Sequence, residues 1–174
     1  MAQCRSCDKP TVGKSSYCST HRAEARAAWK AKIGAEAEAR EARKAEHATL
    51  WARACAEASR AWHEAVPTPI LVGTAKGLFD DSFDETQPVY HVSEGVCGFA
   101  SLIIRPANSS FAHWLKANAR TSKHYGGGLS VWSSSLVPED ARSQSYDRKV
   151  AAVRAAVAVL REAGVKASCW ERLD

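Results

Sequence analysis

The chain lacks long apolar runs, and no stretch approaches the roughly 18 consecutive apolar residues of a membrane-spanning helix. Its start also lacks the apolar core of a secretory signal peptide, so we expect a cytoplasmic protein without a membrane partner. In a reducing cytoplasm the six cysteines are not expected to form disulfides. Cysteine there indicates a metal site, catalysis or core packing.

Neither disorder nor a repeat architecture fits the composition. Hydrophobic residues make up 45% and charged residues 25% of the 174 residues, values close to the average for globular proteins, so wholesale disorder is excluded. No internal repeat indicates a solenoid. The length suits one domain, or one domain with an extension.

Acidic residues are missing from two basic parts of the chain. None occurs between Glu94 and Glu139, although four basic residues lie there, and residues 1–22 carry four basic residues against Asp8 alone. Basic side chains without neighbouring acids favour a polyanion, because each phosphate contact releases counterions. The net charge of +5 and its distribution therefore favour DNA, RNA or a nucleoprotein complex as the partner, with a solvated basic surface as the alternative.

Two pairs of potential metal ligands near the start of the sequence have the spacing of a metal site. Cys4 and Cys7 form a Cys-x2-Cys pair, and Cys18 and His21 repeat the spacing ten residues later. Three thiolates and one imidazole are the donors of a closed, tetrahedral structural zinc site. The motif resembles a treble-clef or zinc-ribbon finger over residues 4–22. It predicts one structural Zn²⁺ held by these four side chains.

Composition divides the chain into three parts. We expect a zinc finger at residues 1–22, a long helix at residues 23–66 and a mixed α/β domain at residues 67–174. The middle part is rich in Ala, Glu, Lys and Arg and has no proline, which is typical of helix. Its apolar stripe is thin, so its C-terminal half is expected to pack on the domain, with self-association through the helix and projection into solvent as alternatives.

Alternating patterns in the third part predict an α+β or small α/β fold with the element order ββαβαβ. Strands are expected at residues 89–92, 98–105, 129–132 and 165–170, with helices at residues 111–120 and from Tyr146 to just before Gly164. A capping signal at Asn108-Ser-Ser110 precedes the first of these helices. Cys55, Cys97 and Cys169 lie in different elements and are expected to act as small buried hydrophobes.

Six short motifs are spread over the third part of the chain: Gly98-Phe-Ala, Ile104-Arg-Pro-x-Asn-Ser-x-Phe-Ala-x-Trp-Leu115, Tyr125-Gly-Gly-Gly, Gln144-Ser-Tyr, Leu160-Arg-Glu-Ala-Gly and Arg172-Leu-Asp174. Through these motifs, most of residues 97–174 resembles small, uncharacterised bacteriophage proteins. The resemblance implies a bacterial host cytoplasm as the compartment and brings no established activity.

The function predicted from the sequence is that of a zinc-containing protein associated with nucleic acid. Its candidate contacts are basic residues and their neighbours in the finger and in the acid-free stretch: Arg5, Lys9, Lys14, Arg22, Arg105, Lys116, Arg120, Lys123, His124 and Tyr125. One alternative is a protein-binding module that binds a host complex through the finger and the long helix. A second is an enzyme with a site around Lys123–Gly128 that uses His113 or His124. The sequence shows no recognisable set of a nucleophile, a base and a group that orients the base, so no catalytic residue is assigned.

Overall fold

The computed structural model of the chain describes residues 3–11, 16–141 and 143–174. Helices account for 47% of the structure and strands for 22%, so the predicted mixed class of helix and sheet is confirmed. The chain forms two compact units, Met1–Glu46 and His47–Asp174.

One long helix, α1, runs from Ser19 to Glu64. It starts four residues before the predicted helix, because Cys18 already accepts a backbone hydrogen bond from the amide of Arg22 (2.8 Å). It ends at Glu64, before the proline at position 67, whose ring cannot continue a helix. The division between the two units falls inside this helix.

The last turns of α1 belong to the core of the second unit. Ala54, Ala58 and Trp62 are buried and follow each other at intervals of four residues, which places them on one face of the helix. Trp51 is half-buried beside them. The expected packing of this half of the helix is therefore observed, and the alanines let the helix approach its neighbours closely.

A four-stranded sheet with two helices forms most of the second unit. Along the chain the elements are β5 (Gly98–Ile104), α2 (Ser110–Asn118), β6 (Ser122–Lys123), β7 (Leu129–Trp132), α3 (Tyr146–Glu162) and β8 (Ala167–Leu173). The strand order is β6-β7-β5-β8, and every neighbouring pair is antiparallel. This βαββαβ connectivity, with the first and third strands at the centre of the sheet, is the ferredoxin-like arrangement.

One face of the sheet carries the core. Ala100, Leu102 and Ile104 alternate along β5 and are fully buried in one hydrophobic cluster. The cluster also contains Leu129 and Val131 of β7 together with apolar side chains from α1, α2 and α3. All three helices therefore cover the same face, and the intervening residues of the strands point to the opposite face.

The two helices of the sheet domain follow their sequence signals. The hydroxyl of Ser109 accepts a hydrogen bond from the amide of Ala112 (3.2 Å), which confirms the predicted cap of α2. In α3, the periodic residues Val150, Val153 and Leu160 are buried, as their spacing predicts.

Four short strands precede the sheet and form two separate pairs. β1 (Ile70–Val72) pairs with β4 (Tyr90–Val92), and β2 (Ala75–Gly77) pairs with β3 (Asp80–Phe83). The sequence indicated only the strand at 89–92, which is present but lies outside the main sheet. The other three are mostly exposed strands of three or four residues, too short to give a periodic signal.

The three cysteines outside the N-terminal cluster differ in burial. Cys55 and Cys169 are half-buried, and burial raises the pKa of each thiol to about 11. The expectation of a buried Cys97 is wrong, because this side chain is exposed. Its backbone instead forms an isolated bridge to Ser145, just ahead of β5.

Candidate metal centre and candidate nucleic-acid interface

Two local structures bring the four predicted ligands together. Around Cys4 and Cys7 the chain turns back on itself, since Gln3 bridges to Pro10 and the amide of Cys4 donates to the carbonyl of Lys9 (3.1 Å). Cys18 stands directly before α1, which begins at Ser19, and His21 lies in its first turn. A helical start places residues three apart on one side, so this thiol and imidazole face the same point.

The distances between the donor atoms suit a tetrahedral ion. Nδ1 of His21 lies 3.4 Å from Sγ of Cys4 and 3.5 Å from Sγ of Cys18, and the Sγ atoms of Cys7 and Cys18 are 3.8 Å apart. All four donor atoms lie within 4.8 Å of one another. Bonds of about 2.3 Å to sulfur and about 2.0 Å to nitrogen give tetrahedral edges of about 3.8 Å and about 3.5 Å. The four side chains can therefore hold one metal ion.

The surroundings of the cluster also suit a cation. Cys4 and Cys18 are buried, while Cys7 and His21 are half-buried. The second ring nitrogen of His21, Nε2, lies 3.8 Å from a carboxylate oxygen of Glu24. A carboxylate on the far side of a ligating imidazole helps to orient the ring and raises its basicity as a ligand.

The thiols in the cluster have different pKa values. Burial raises the pKa of Cys4, but hydrogen bonds from the backbone at Cys18 and Ser6 outweigh this effect and lower the pKa to about 6. For Cys7, the backbone hydrogen bond at Lys9 lowers the pKa, whereas desolvation and the neighbouring thiols raise it, and the net shift is upward. Crowded thiolates repel one another, and a bound cation removes that repulsion.

Basic side chains surround the cluster within the first unit. Arg5 and Lys9 are exposed, whereas the predicted contact Lys14 lies outside the described residues. Arg22 lines a shallow groove of α1 together with Arg26 and Lys30, two residues that the sequence analysis did not single out. Their spacing of four residues, which repeats the helical period, is the signal that identifies this row.

In the second unit, the sheet face opposite the helices carries three aromatic side chains that sequence analysis missed. Phe99 projects from β5, Trp132 from β7 and Trp170 from β8. In the sheet, Ser101 of β5 lies directly opposite Trp132 of the neighbouring strand β7. It also lies directly opposite Trp170 of β8, the neighbour on the other side, so the two tryptophans flank Ser101. Because they flank it, Ser101 is buried although it lies on the face opposite the three helices of the core.

The rings on this face form a continuous row. Phe99 meets Trp132 edge to face at 6.3 Å between centroids, and Trp132 meets Trp170 in the same way at 6.2 Å. His124 continues the row with its ring 6.1 Å from that of Trp170. Edge-to-face packing of this kind stabilises aromatic clusters by about 0.5–1.5 kcal/mol per pair beyond their burial. We call Phe99, Trp132, Trp170 and His124 the aromatic row.

Cations stand at both ends of the aromatic row. The guanidinium of Arg172 lies 5.4 Å from the centroid of the Phe99 ring, and Nζ of Lys149 lies 5.7 Å from it. At the other end, Arg105 follows β5 and donates to the carbonyl of Gly126 (3.3 Å) and to the hydroxyl of Ser168 (3.4 Å).

The predicted basic contacts do not form one surface. Arg105 and His124 lie at the open face, and Tyr125 is fully exposed beside them. Lys116 belongs to α2, which packs against the opposite face, and it donates to the carbonyl of Ala107 (2.8 Å). Arg120 follows α2 and is exposed, and Lys123 pairs with Leu129, whose side chain points to the helical side of the sheet.

The glycines between β6 and β7 have a backbone role. Gly128 has a φ of 104°, and a Cβ atom there would lie 2.8 Å from the carbonyl oxygen of Ile104. Only glycine permits this close approach, which folds the loop onto the end of β5 beside Arg105. The segment Lys123–Gly128 is thus built to position His124 and to accept the Arg105 side chain.

No protein family, curated protein or solved structure matches this chain. Within the described residues, no helix is both long and apolar enough to cross a membrane.

Proposed function

We propose that this protein contains one structural zinc ion and binds nucleic acid. Zinc is favoured because three thiolates and an imidazole at tetrahedral separations are its preferred donor set. Four protein ligands leave no open coordination position, so the ion would have a structural role. Metal analysis of the purified protein tests this assignment, with one zinc per chain as the expected result.

The nucleic-acid part of the proposal rests on a group of three neighbouring cations. One shallow depression lies where β5 ends and β8 begins, and it is lined by Arg105, Arg161 and Lys166. None of the three forms an ion pair in the described part of the chain, and Arg161 instead donates to the carbonyl of Ala167 (2.7 Å). Clustered cations without counter-charges attract a phosphate backbone, since each contact releases bound counterions.

Other arginines of the same unit show the contrast. Arg53 pairs with Glu162 (3.5 Å), and Arg148 pairs with Glu94 (2.9 Å). Arg60 contacts two glutamates of its own helix at 2.7 Å each. Several arginines of the domain are thus neutralised within the chain, whereas the cations of the depression around Arg105 have no such partner among the described residues.

Salt dependence tests the proposed function. We expect the affinity for a fluorescein-labelled oligonucleotide to fall linearly with salt on a log–log plot, measured by fluorescence anisotropy. The double variant Arg105→Gln/Lys166→Gln is expected to flatten the slope by about 1.4–1.8, because two phosphate contacts are lost. The matched control Arg53→Gln/Arg60→Gln removes the same charge from paired residues and should leave the slope unchanged.

The same assay separates the predicted contacts from one another. A triple variant, Lys116→Ala/Arg120→Ala/Lys123→Ala, removes the cations on the helical side of the sheet and reports any contribution from α2. No binding by the wild type at low salt would contradict the proposed function.

A second candidate function, protein binding through α1, has one specific observation in its favour. Trp29 and Ile33 are 63% and 46% exposed, and a spacing of four residues makes them neighbours on the helix surface. An exposed aromatic and aliphatic pair on a helix is typical of a protein contact. In its simplest form the partner is a second copy of the chain.

Sedimentation tests this second candidate. If α1 pairs with a second chain, the wild type should sediment as a dimer, and Trp29→Ala/Ile33→Ala should sediment as a monomer because the apolar contact is gone. The control Lys32→Ala changes a neighbouring exposed residue without touching the pair. A wild type that stays monomeric at high concentration would argue against self-association.

A further inference from the structure

We propose that the open face of the four-stranded sheet is a binding surface for single-stranded nucleic acid, with bases stacked on the aromatic row. This inference rests on the proposed nucleic-acid function and names the ligand class and the residues that would recognise it. The observation behind it is the row itself, a line of rings on the face of the sheet opposite α1, α2 and α3.

The rings are accessible and firmly placed. Trp132 is 42% exposed, so part of its ring is open to a ligand, while Phe99 and Trp170 are half-buried and hold it through edge-to-face contacts. An aromatic ring that is already fixed loses little conformational entropy when a base stacks on it. Stacking on protein aromatics tolerates any sequence, because every base has a π face.

The charges near the row suit a phosphate backbone that passes along it. Arg172 and Lys149 lie near Phe99 at one end, and Arg105 lies at the other end beside the depression that it shares with Arg161 and Lys166. By register, the side chains of β5, β7 and β8 that share the face with the row include no acid, and the nearest acid, Asp174, follows β8 and acts on Lys149. Stacked bases flanked by cations form the usual arrangement of single-strand binding surfaces.

Geometry favours a single strand over a duplex. The bases of a duplex are stacked on one another, and their faces are not available to protein rings. Sheet surfaces that stack bases therefore bind unpaired nucleotides, with two or three bases on a four-stranded sheet. A row of three large rings and one imidazole has the size for such a contact.

The test uses the full-length protein and three labelled probes of one mixed sequence: a 15-nucleotide single-stranded DNA, the same RNA, and the DNA duplex. We expect the wild type to bind at least one single strand about tenfold or more tightly than the duplex in anisotropy titrations. Trp132→Ala should weaken single-strand binding by about 5- to 150-fold, the range that corresponds to the loss of one stacked base. Trp132→Phe keeps a ring and should bind within about threefold of the wild type.

The slope of the log–log salt plot distinguishes the loss of base stacking from the loss of phosphate contacts. Trp132→Ala should leave the log–log slope unchanged, because stacking releases no counterions, whereas the Arg105→Gln/Lys166→Gln variant flattens it. The matched control is Tyr90→Ala, which removes a ring that is 62% exposed on β4, outside the sheet, and should bind like the wild type.

Ultraviolet cross-linking of the wild type gives a second measurement that does not depend on a variant. Cross-linked peptides that contain Phe99, Trp132 or Trp170 would support the proposal, and cross-links found only within residues 3–22 would overturn it. Wild-type affinity retained in folded Trp132→Ala, or a preference for the duplex, would also overturn it and leave the proposed function intact.

Two outcomes would point elsewhere. No binding to any probe at low salt would refute the proposed function, and this inference with it. If the wild type binds no probe but forms a dimer that Trp132→Ala dissociates, the face is a protein interface, and the stacking proposal is wrong.

Discussion

A Cys7→Ser variant is expected to lose the proposed zinc ion and, with it, the ordered structure of residues 3–11 and 16–22. The reason is that this segment has almost no apolar core of its own: among its described residues, the buried hydrophobic side chains are those of the ligands Cys4 and Cys18. A segment of this size is not stabilised by burial alone, so the free energy of metal binding becomes its folding free energy. Serine cannot replace a thiolate as a zinc ligand.

We expect zinc affinity to fall by more than about 100-fold, since changes to outer-shell residues alone cost about 10- to 100-fold. Zinc per chain, measured by plasma mass spectrometry after dialysis against a weak chelator, should drop from one to near zero. Hydrogen exchange should accelerate in residues 3–11 and 16–22 while the amides of the sheet keep their protection, because the second unit has its own core. The matched control Cys55→Ser removes a half-buried thiol outside the cluster and should retain one zinc. Full zinc content in Cys7→Ser would contradict the assignment.

Replacement of Trp62 by alanine is expected to destabilise the second unit by about 3–5 kcal/mol, the usual cost of truncating a buried aromatic side chain. Trp62 is 4% exposed and lies in the same hydrophobic cluster as the sheet and α3. Its carbonyl also accepts a hydrogen bond from Arg148 (2.9 Å), which ties the last turn of α1 to α3. Loss of the indole would leave a cavity that the alanines on either side of it cannot fill.

Urea unfolding monitored by circular dichroism measures this effect. We expect the midpoint to fall strongly for Trp62→Ala and by less for Trp62→Phe, which keeps a ring. The control Leu78→Ala changes a side chain that is 91% exposed, so its free energy of unfolding should stay within about 0.5 kcal/mol of the wild type. A loss below about 1 kcal/mol in Trp62→Ala would show that α1 is not part of the cooperative core.

The features that the sequence predicted correctly depend on residues close together in the chain. The metal cluster follows from two short pairs, and the helical stretch of α1 follows from composition and the absence of proline. The cap at Ser109 and the buried stripe of α3 are likewise signals within a few residues. Each is set by local geometry, which a single sequence contains.

The features that the sequence did not predict depend on pairing between distant segments. Phe99, Trp132 and Trp170 come from three strands, and nothing in their spacing shows that these strands become neighbours. Lys116 and Arg120 are close to Arg105 in the sequence, and we therefore expected the three to share one surface. In the structure, the sheet lies between α2 and the open face at which Arg105 is found. The order of strands is set by packing of the whole unit, which is why the aromatic row emerged only in three dimensions.

The alternation of β5 has a consequence for how such a domain can diversify. Along this strand, Ala100, Leu102 and Ile104 fill the core, while Phe99 and Arg105 point the other way. Substitutions of Phe99, or of Arg105 directly after the strand, change the chemistry offered to a ligand with little effect on the core, because these side chains lie on the opposite side of the backbone from Ala100, Leu102 and Ile104. A single scaffold can therefore acquire new binding preferences by small steps, each of which leaves the fold intact.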